Sequence, residues 1–294
     1  MRATILGLPI LAAAAALHAQ GKPDFEFRRD LPAGKRFYLQ NIIGDVKVTG
    51  GPGRTVEVTA RKQEGQHGDP EDVTIETVEL DDGVAICVRY PGHYSSSRRR
   101  SDSRDSSRPR SPCSQEGSWS GNGDRNDTEV HFTLKVPSGL KLHVGTVSGD
   151  TEAEDLDGDL ELRSVSGDVR LTGGRGGVID LETVSGDVGL LQIRSKDVSG
   201  HTVSGEIAFE GSIEDGGEYD FATTSGDITL RLPGRPNATL SAATFSGRLS
   251  SDLPITPDDS RRHRHRYAAT WGSGSARLGM ESLSGDLAIR VTAR

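Results

Sequence analysis

The stretch LELRSVSGDVRL (160–171) returns nineteen residues later as IDLETVSGDVGL (179–190), and the reading of that pair decides the architecture. Each copy carries the tripeptide Ser-Gly-acid. It occurs at Ser148-Gly149-Asp150, Ser166-Gly167-Asp168, Ser185-Gly186-Asp187, Ser204-Gly205-Glu206, Ser225-Gly226-Asp227 and Ser284-Gly285-Asp286. A variant with arginine in the acidic place stands at Ser246-Gly247-Arg248. The serines are spaced by 18, 19, 19, 21, 21 and 38 residues, the last being twice 19. The frame recurs in FATTSGDITLRL (221–232), in MESLSGDLAIRV (280–291) and, far upstream, in FYLQNIIGDVKV (37–48). A fixed period of this length is the signature of a stacked-repeat architecture.

Each unit reads as two short strands, alternating apolar and polar, joined at the tripeptide. Glycine permits positive φ, and Ser and Asp bond neighbouring backbone amides, so the tripeptide is turn chemistry. A unit this small cannot bury its own apolar face. Stacking units ~4.8 Å apart lays Leu160, Leu162, Val169 and Leu171 over their equivalents and pairs each backbone group with the units above and below. The fold class predicted is all-β, a β-solenoid of two-strand coils, with an antiparallel β-sandwich as the alternative. Register also predicts a column of carboxylates at Asp150, Asp168, Asp187, Glu206 and Asp227. Like charges at that spacing repel by ~1 kcal/mol per neighbour in water. Each carboxylate is expected to cap its own turn; the alternative is a bound calcium ion. No cofactor is otherwise indicated, and GGRGGVIDL (173–181) lacks the aspartate that the calcium-binding nonapeptide requires.

Composition agrees with a turn-rich β protein. The chain has 294 residues, 33% hydrophobic and 27% charged, with 37 glycines. Glycine is thus about 13% of the chain against a usual ~7%, which suits tight turns and disfavours long helices. A net charge of −8 argues against a general nucleic-acid binder. At the N-terminus, Arg2, the apolar run ILGLPILAAAAAL (5–17) and Ala19 have the layout of a secretory signal peptide over residues 1–19. The apolar run is too short to span a bilayer, and no later segment is long and apolar enough. An exported, periplasmic or cell-surface protein is therefore expected, with an N-terminal segment at 20–36 and one solenoid domain at 37–294.

Two segments interrupt the pattern. Asp82-Gly83 joins two alternating runs and predicts a hairpin. Residues 94–120 then hold 11 Ser and 6 Arg in 27 residues, which reads as a flexible insert. Its Arg98, Arg99, Arg100, Arg104, Arg108 and Arg110 form a candidate anion-binding patch on an acidic protein. Cys87 and Cys113 are expected to pair, closing a separation of 26 residues worth ~3 kcal/mol; two free thiols are the alternative. A basic loop is expected at 254–270, where RRHRHR (261–266) fills the gap of an apparently missing repeat. Its two histidines lack a third ligand nearby, so no metal site is assigned to them.

No phosphate-binding loop, zinc motif or nucleophile elbow is present in the sequence. Serine and aspartate recur once per coil, as turns require, whereas a catalytic pair should stand out as an exception. From residue 128 to 289, VPSG followed by serial Thr-Val-Ser-Gly-Asp units resembles the bacterial β-strand-repeat adhesin family known as the Toastrack domain. The upstream GDVKV and the Cys87 strand look like its N-terminal portion. The resemblance implies a β-solenoid of the envelope or surface, linked to adhesion and envelope-stress sensing, and supplies no catalytic residues. The insert and Arg248 depart from the simple repeat. The expected function is a non-enzymatic scaffold for an envelope or cell-surface partner, protein or glycan. The alternatives are a stress-sensing domain that docks a membrane partner, and a polysaccharide-active β-helical enzyme.

Overall fold

The structure, a computed structural model, describes residues 22–91, 112–113, 126–257 and 265–292. The expected signal peptide, the six insert arginines and most of the RRHRHR run lie outside them. The N-terminal third forms β1 (Phe25–Asp30), β2 (Arg36–Gln40), β3 (Val46–Gly51), β4 (Thr55–Gln63), β5 (Thr74–Leu80), β6 (Gly83–Arg89) and β7 (Glu129–Pro137). The repeats follow as β8 (Leu140–Gly145), β9 (Thr151–Glu154), β10 (Gly158–Arg163), β11 (Val169–Thr172), β12 (Val178–Glu182) and β13 (Val188–Ile193). They continue as β14 (Asp197–Ser204), β15 (Ile207–Gly211), β16 (Glu218–Ser225) and β17 (Ile228–Leu232). The C-terminal part adds β18 (Ala238–Ser246), β19 (Leu249–Ser251), β20 (Thr256–Pro257), β21 (His265–Thr270), β22 (Ala276–Ser284) and β23 (Leu287–Val291).

The strands form two facing sheets, one of 11 strands and one of 12, and from β6 to β20 successive strands alternate between them. Pairing through the repeats is parallel and in register, which establishes the solenoid and sets aside the antiparallel sandwich. In the 12-stranded sheet Leu142, Leu160, Ile179, Val198 and Tyr219 occupy equivalent positions. In the 11-stranded sheet Val169, Val188, Ile207 and Ile228 do the same, as do Leu171, Leu190, Phe209 and Leu230. All are buried between the sheets. Each such side chain contributes roughly 1.5–3 kcal/mol through burial. Every coil repeats that contribution because period-2 alternation aims the same positions inward.

The stack does not follow sequence order at its ends. The last coil, β22 and β23, lies between the β16–β17 coil and the β18–β19 coil. No repeat is missing in the 38-residue gap, which corrects the sequence reading: those residues include a cap. β21 pairs antiparallel with β18, and β20 pairs with β21. Trp271 is buried there, and its indole N–H donates to the Pro254 carbonyl at 3.0 Å. The segment expected as a loop at 254–270 thus contains two strands. The other end mirrors this arrangement. The coil made by β6 and β7 lies outside the β2–β3 coil, and antiparallel β5, β4 and β1 cover it. The N-terminal segment expected outside the solenoid therefore supplies β1, an edge strand of the 11-stranded sheet. Antiparallel strands at both ends give the parallel stack end units unlike its repeats, the usual role of capping elements in repeat proteins.

Coil spacing is fixed at the glycines. A Cβ on Gly186, whose φ is +153°, would lie 2.2 Å from the Gly167 carbonyl oxygen of the preceding coil. Gly186→Ala should therefore lower the unfolding free energy by about 3 kcal/mol, through strain and overpacking together. Gly234→Ala, with open space around it, should shift stability by less than about 0.5 kcal/mol. Urea denaturation of the two variants checks the contrast.

Candidate functional site

The repeat brings its Ser-Gly-acid corners onto one edge of the solenoid. Parallel bridges join Ser148 to Ser166, Ser166 to Ser185 and Ser185 to Ser204. Strand register carries the line on through Ser225 and Ser284 to Ser246. The variant corner with Arg248 is thus the last in space, and Ser284 precedes it. Corner amides extend the backbone ladder: the Gly167 N–H donates to the Ser185 carbonyl at 3.0 Å, and the Gly226 N–H to Ser284 at 3.0 Å.

The carboxylates do not cap their own turns, as the sequence reading expected. Each aspartate reaches to the neighbouring coil. The Asp150 carboxylate accepts the Asp168 backbone N–H at 2.8 Å, Asp168 accepts Asp187 at 2.8 Å, and Asp187 accepts Glu206 at 2.8 Å. Asp227 accepts Asp286 at 2.7 Å, and Asp286 accepts Arg248 at 2.8 Å. At the N-terminal end the acceptor for the Asp45 N–H is Nδ1 of His131, 3.2 Å away, while Nε2 of that ring meets the Glu129 carboxylate at 3.0 Å. A column of like charges is tolerable because each aspartate gains a backbone donor, and charge-assisted bonds are the stronger kind. Glu206 breaks the series: its carboxylate makes no bond to the Asp227 N–H, so one extra methylene interrupts the reach.

A second ladder runs inside the edge. The hydroxyls of Thr183, Thr202, Thr223, Ser282 and Thr244 donate to the glycine carbonyl of the neighbouring coil at 3.0–3.2 Å. Asn41 takes the threonine place in the first corner and donates to Gly44 at 2.7 Å and Val130 at 2.9 Å. With the Gly44 carbonyl so engaged, buried Thr146 is left without a hydrogen-bond partner.

The sequence reading missed the residue between that threonine and the serine. Among the described residues, seven large hydrophobics are exposed, and six of them occupy this one place: Val147, Val165, Val184, Val203, Leu283 and Phe245. The signal was available, since period-2 alternation from Leu160 and Leu162 puts Val165 outward. The edge therefore presents three parallel lanes, apolar, hydroxyl and acidic. Among the described residues no ion pair engages Asp150, Asp168, Asp187, Glu206, Asp227 or Asp286.

Other candidate residues lie elsewhere. Cys87 and Cys113 are bridged, with Cα atoms 5.5 Å apart, so Cys113 fixes one point of the insert to β6. The insert runs between β6 and β7, where other coils have their Ser-Gly-acid corner. Beside the bridge, Tyr38 stacks on His143 at 4.2 Å between ring centroids, and His143 Nδ1 lies 2.7 Å from the Glu161 carboxylate. The hydrogen bond from His143 holds the Glu161 pKa below the usual carboxylate range, against the opposing effect of partial burial. Near the C-terminal end, Asp220, Arg266 and Glu281 line a shallow cavity of about 200 Å³. Within it the Arg266 Nε is buried without a hydrogen-bond partner. Among the described residues no group of three or more His, Cys, Asp or Glu side chains is placed to hold a metal ion.

The family model for Toastrack DUF4097 matches residues 128–290, more than half of the chain. The chain belongs to the Toastrack family. The matched span covers the repeat coils and the C-terminal cap of this Toastrack protein, and β7 at the other end. Its solved relatives are distant. A candidate cell adhesion protein from Clostridium sporogenes is 12% identical, with a TM-score of 0.35 over 92% of this chain and 100% of that one. A candidate adhesin from Bacteroides fragilis is 10% identical, with a TM-score of 0.42 over 90% and 96% of the two chains. A search of curated proteins finds no match. No helix among the described residues is long and apolar enough to cross a membrane.

The corner chemistry yields two expectations. Glu206→Asp should complete the carboxylate series and stabilise the fold by about 0.5–1 kcal/mol, whereas Asp168→Ala should cost about 1 kcal/mol and Asp168→Asn much less; urea melts compare the three. The depressed pKa of Glu161 stabilises the fold above the usual carboxylate range and is lost as pH falls through the folded-state value. Glu161→Gln should therefore cost about 0.5 kcal/mol at neutral pH, after allowing for solvent screening, and nothing once the wild-type carboxylate is protonated. Thermal melts across acid pH read the convergence.

Proposed function

We propose that this Toastrack protein is an exported, non-enzymatic scaffold of the envelope or cell surface, adhesin-like in the sense of its family. The observation that supports this reading is the ladder itself. Each coil offers the same corner to solvent at a fixed spacing, and neighbouring coils brace that corner through two sets of hydrogen bonds. Such an edge is suited to holding a partner by many equivalent weak contacts, because the surface is ordered before the partner arrives and binding loses little conformational entropy. The serines and aspartates of the corners serve the fold. The insert, tied at Cys113 and carrying six arginines, adds a basic element to an acidic protein, and oppositely charged polymers are its natural partners.

Binding of the purified protein to cell-surface or envelope fractions tests the reading. Changing Arg98, Arg99, Arg100, Arg104, Arg108 and Arg110 together to Ser should weaken capture at least tenfold without altering thermal stability. Undiminished capture would remove the insert from the binding role. Turnover of an acidic polysaccharide, abolished by replacing one carboxylate outside the repeat corners, would replace the scaffold by an enzyme.

A further inference from the structure

The six exposed hydrophobics of the corner edge stand one per coil and side by side in space, in the order Val147, Val165, Val184, Val203, then Leu283 and Phe245 beyond the intervening Thr224. Each is between 42 and 54% exposed. Isolated exposed hydrophobics are ordinary on any surface, but a contiguous line of them marks an interaction site. Neither the core nor the turn needs them: their side chains point away from the buried ladder, and Thr224 fills the same place in one coil. With coils ~4.8 Å apart, the line from Val147 to Phe245 is about 29 Å long. Three residues further along each corner, beyond the serine, runs the acidic lane. Its aspartates each accept one backbone N–H from the neighbouring coil, and the Glu206 carboxylate accepts none.

We infer that this edge is a docking surface for a cationic amphipathic helix of a partner protein, laid along the solenoid axis. This deepens the scaffold reading and rests on it. The periods agree: a helix rises about 5.4 Å per turn, close to the spacing of the coils, so each turn brings one apolar residue over one Val or Leu. A helix of about 20 residues covers the line, and its ~10 Å width reaches the acidic lane as well. Lysines or arginines flanking its apolar stripe meet Asp150, Asp168, Asp187, Glu206, Asp227 and Asp286, none of which has an ion-pair partner among the described residues. Charge selects this occupant over two others. A second copy of the chain docked by the same edge brings its own acidic lane against the first, since a two-fold interface uses the same patch on both sides. An anionic lipid surface is repelled by the same carboxylates.

The test uses the full chain without its leader and a synthetic helical peptide of about 20 residues, Leu and Ile on one face and Lys on its flanks. Fluorescence anisotropy reads binding. Val165→Ser, Val184→Ser and Val203→Ser together should weaken binding at least tenfold at every salt concentration. Asp168→Asn with Asp187→Asn, which keeps an acceptor oxygen on each backbone N–H, should weaken it at low salt and flatten the salt dependence. Val178→Ser removes an exposed valine off the lane and should change nothing. Thermal melts confirm that each variant is folded; if the triple variant is not, Val184→Ser alone, with a smaller loss, decides the same point. Equal binding by a peptide of the same composition but scrambled order would overturn the inference. So would wild-type self-association that the lane variants abolish, or lane-dependent binding to phosphatidylglycerol vesicles. Should any of these occur while capture by envelope fractions persists, the helix site falls and the scaffold reading stands; loss of capture with peptide binding intact separates them the other way.

Discussion

Close approach of one backbone to the next at the corners governs this molecule. The Gly149, Gly167, Gly186 and Gly226 Cα atoms lie so near the preceding coil that a Cβ would fall 1.9–2.4 Å from a carbonyl oxygen. Only glycine meets that distance, and Gly205 and Gly285 repeat it at 1.9 Å. Because the corners set the spacing, the strands on both sides fall into parallel register, and the apolar columns of the two sheets follow. The same constraint creates the electrostatic problem of stacked carboxylates and supplies its solution. Spacing that brings like charges together also brings each aspartate within reach of the next backbone N–H.

A stack held in this way has two ends, and each carries antiparallel strands. At each end one coil is placed out of sequence order, and antiparallel strands cover both sheets at the N-terminal end and the 12-stranded sheet at the C-terminal end, where the 11-stranded sheet ends at β19. Parallel coils propagate by adding identical neighbours, so nothing in the repeat itself terminates them. Termination needs a different pairing, which β1, β4 and β5 provide at one end and β20 and β21 at the other. The large insert enters where the first coil in space would have its corner, on the same edge as the repeated tripeptide.

The edge joins structure to use. Glycine and threonine inside it hold the coils, aspartate binds across coils, and serine and the outward hydrophobe remain for solvent or a partner. Division of labour within five residues explains how one short motif can be demanded by the fold and still carry a recognition surface. The Tyr38, His143 and Glu161 cluster, on β2, β8 and β10, and the Arg266 cavity beside the C-terminal cap depart from this regularity.

The sequence alone determined the coil, the two-strand unit, the corner, the Asp82-Gly83 hairpin and the inward positions Leu160, Leu162, Val169 and Leu171, because these follow from local periodicity and turn chemistry. It also brought Cys87 and Cys113 into consideration as a pair, though proximity in space was needed to join them. The outward place of Val165 and its equivalents was legible from alternation, yet its meaning as a continuous lane required the coils to be aligned. Tertiary structure alone decided the order of the terminal coils, the destination of each carboxylate and the strands at the two caps. Those depend on which coil lies next to which, and a repeat of near-identical units encodes its neighbours' shape without encoding their order.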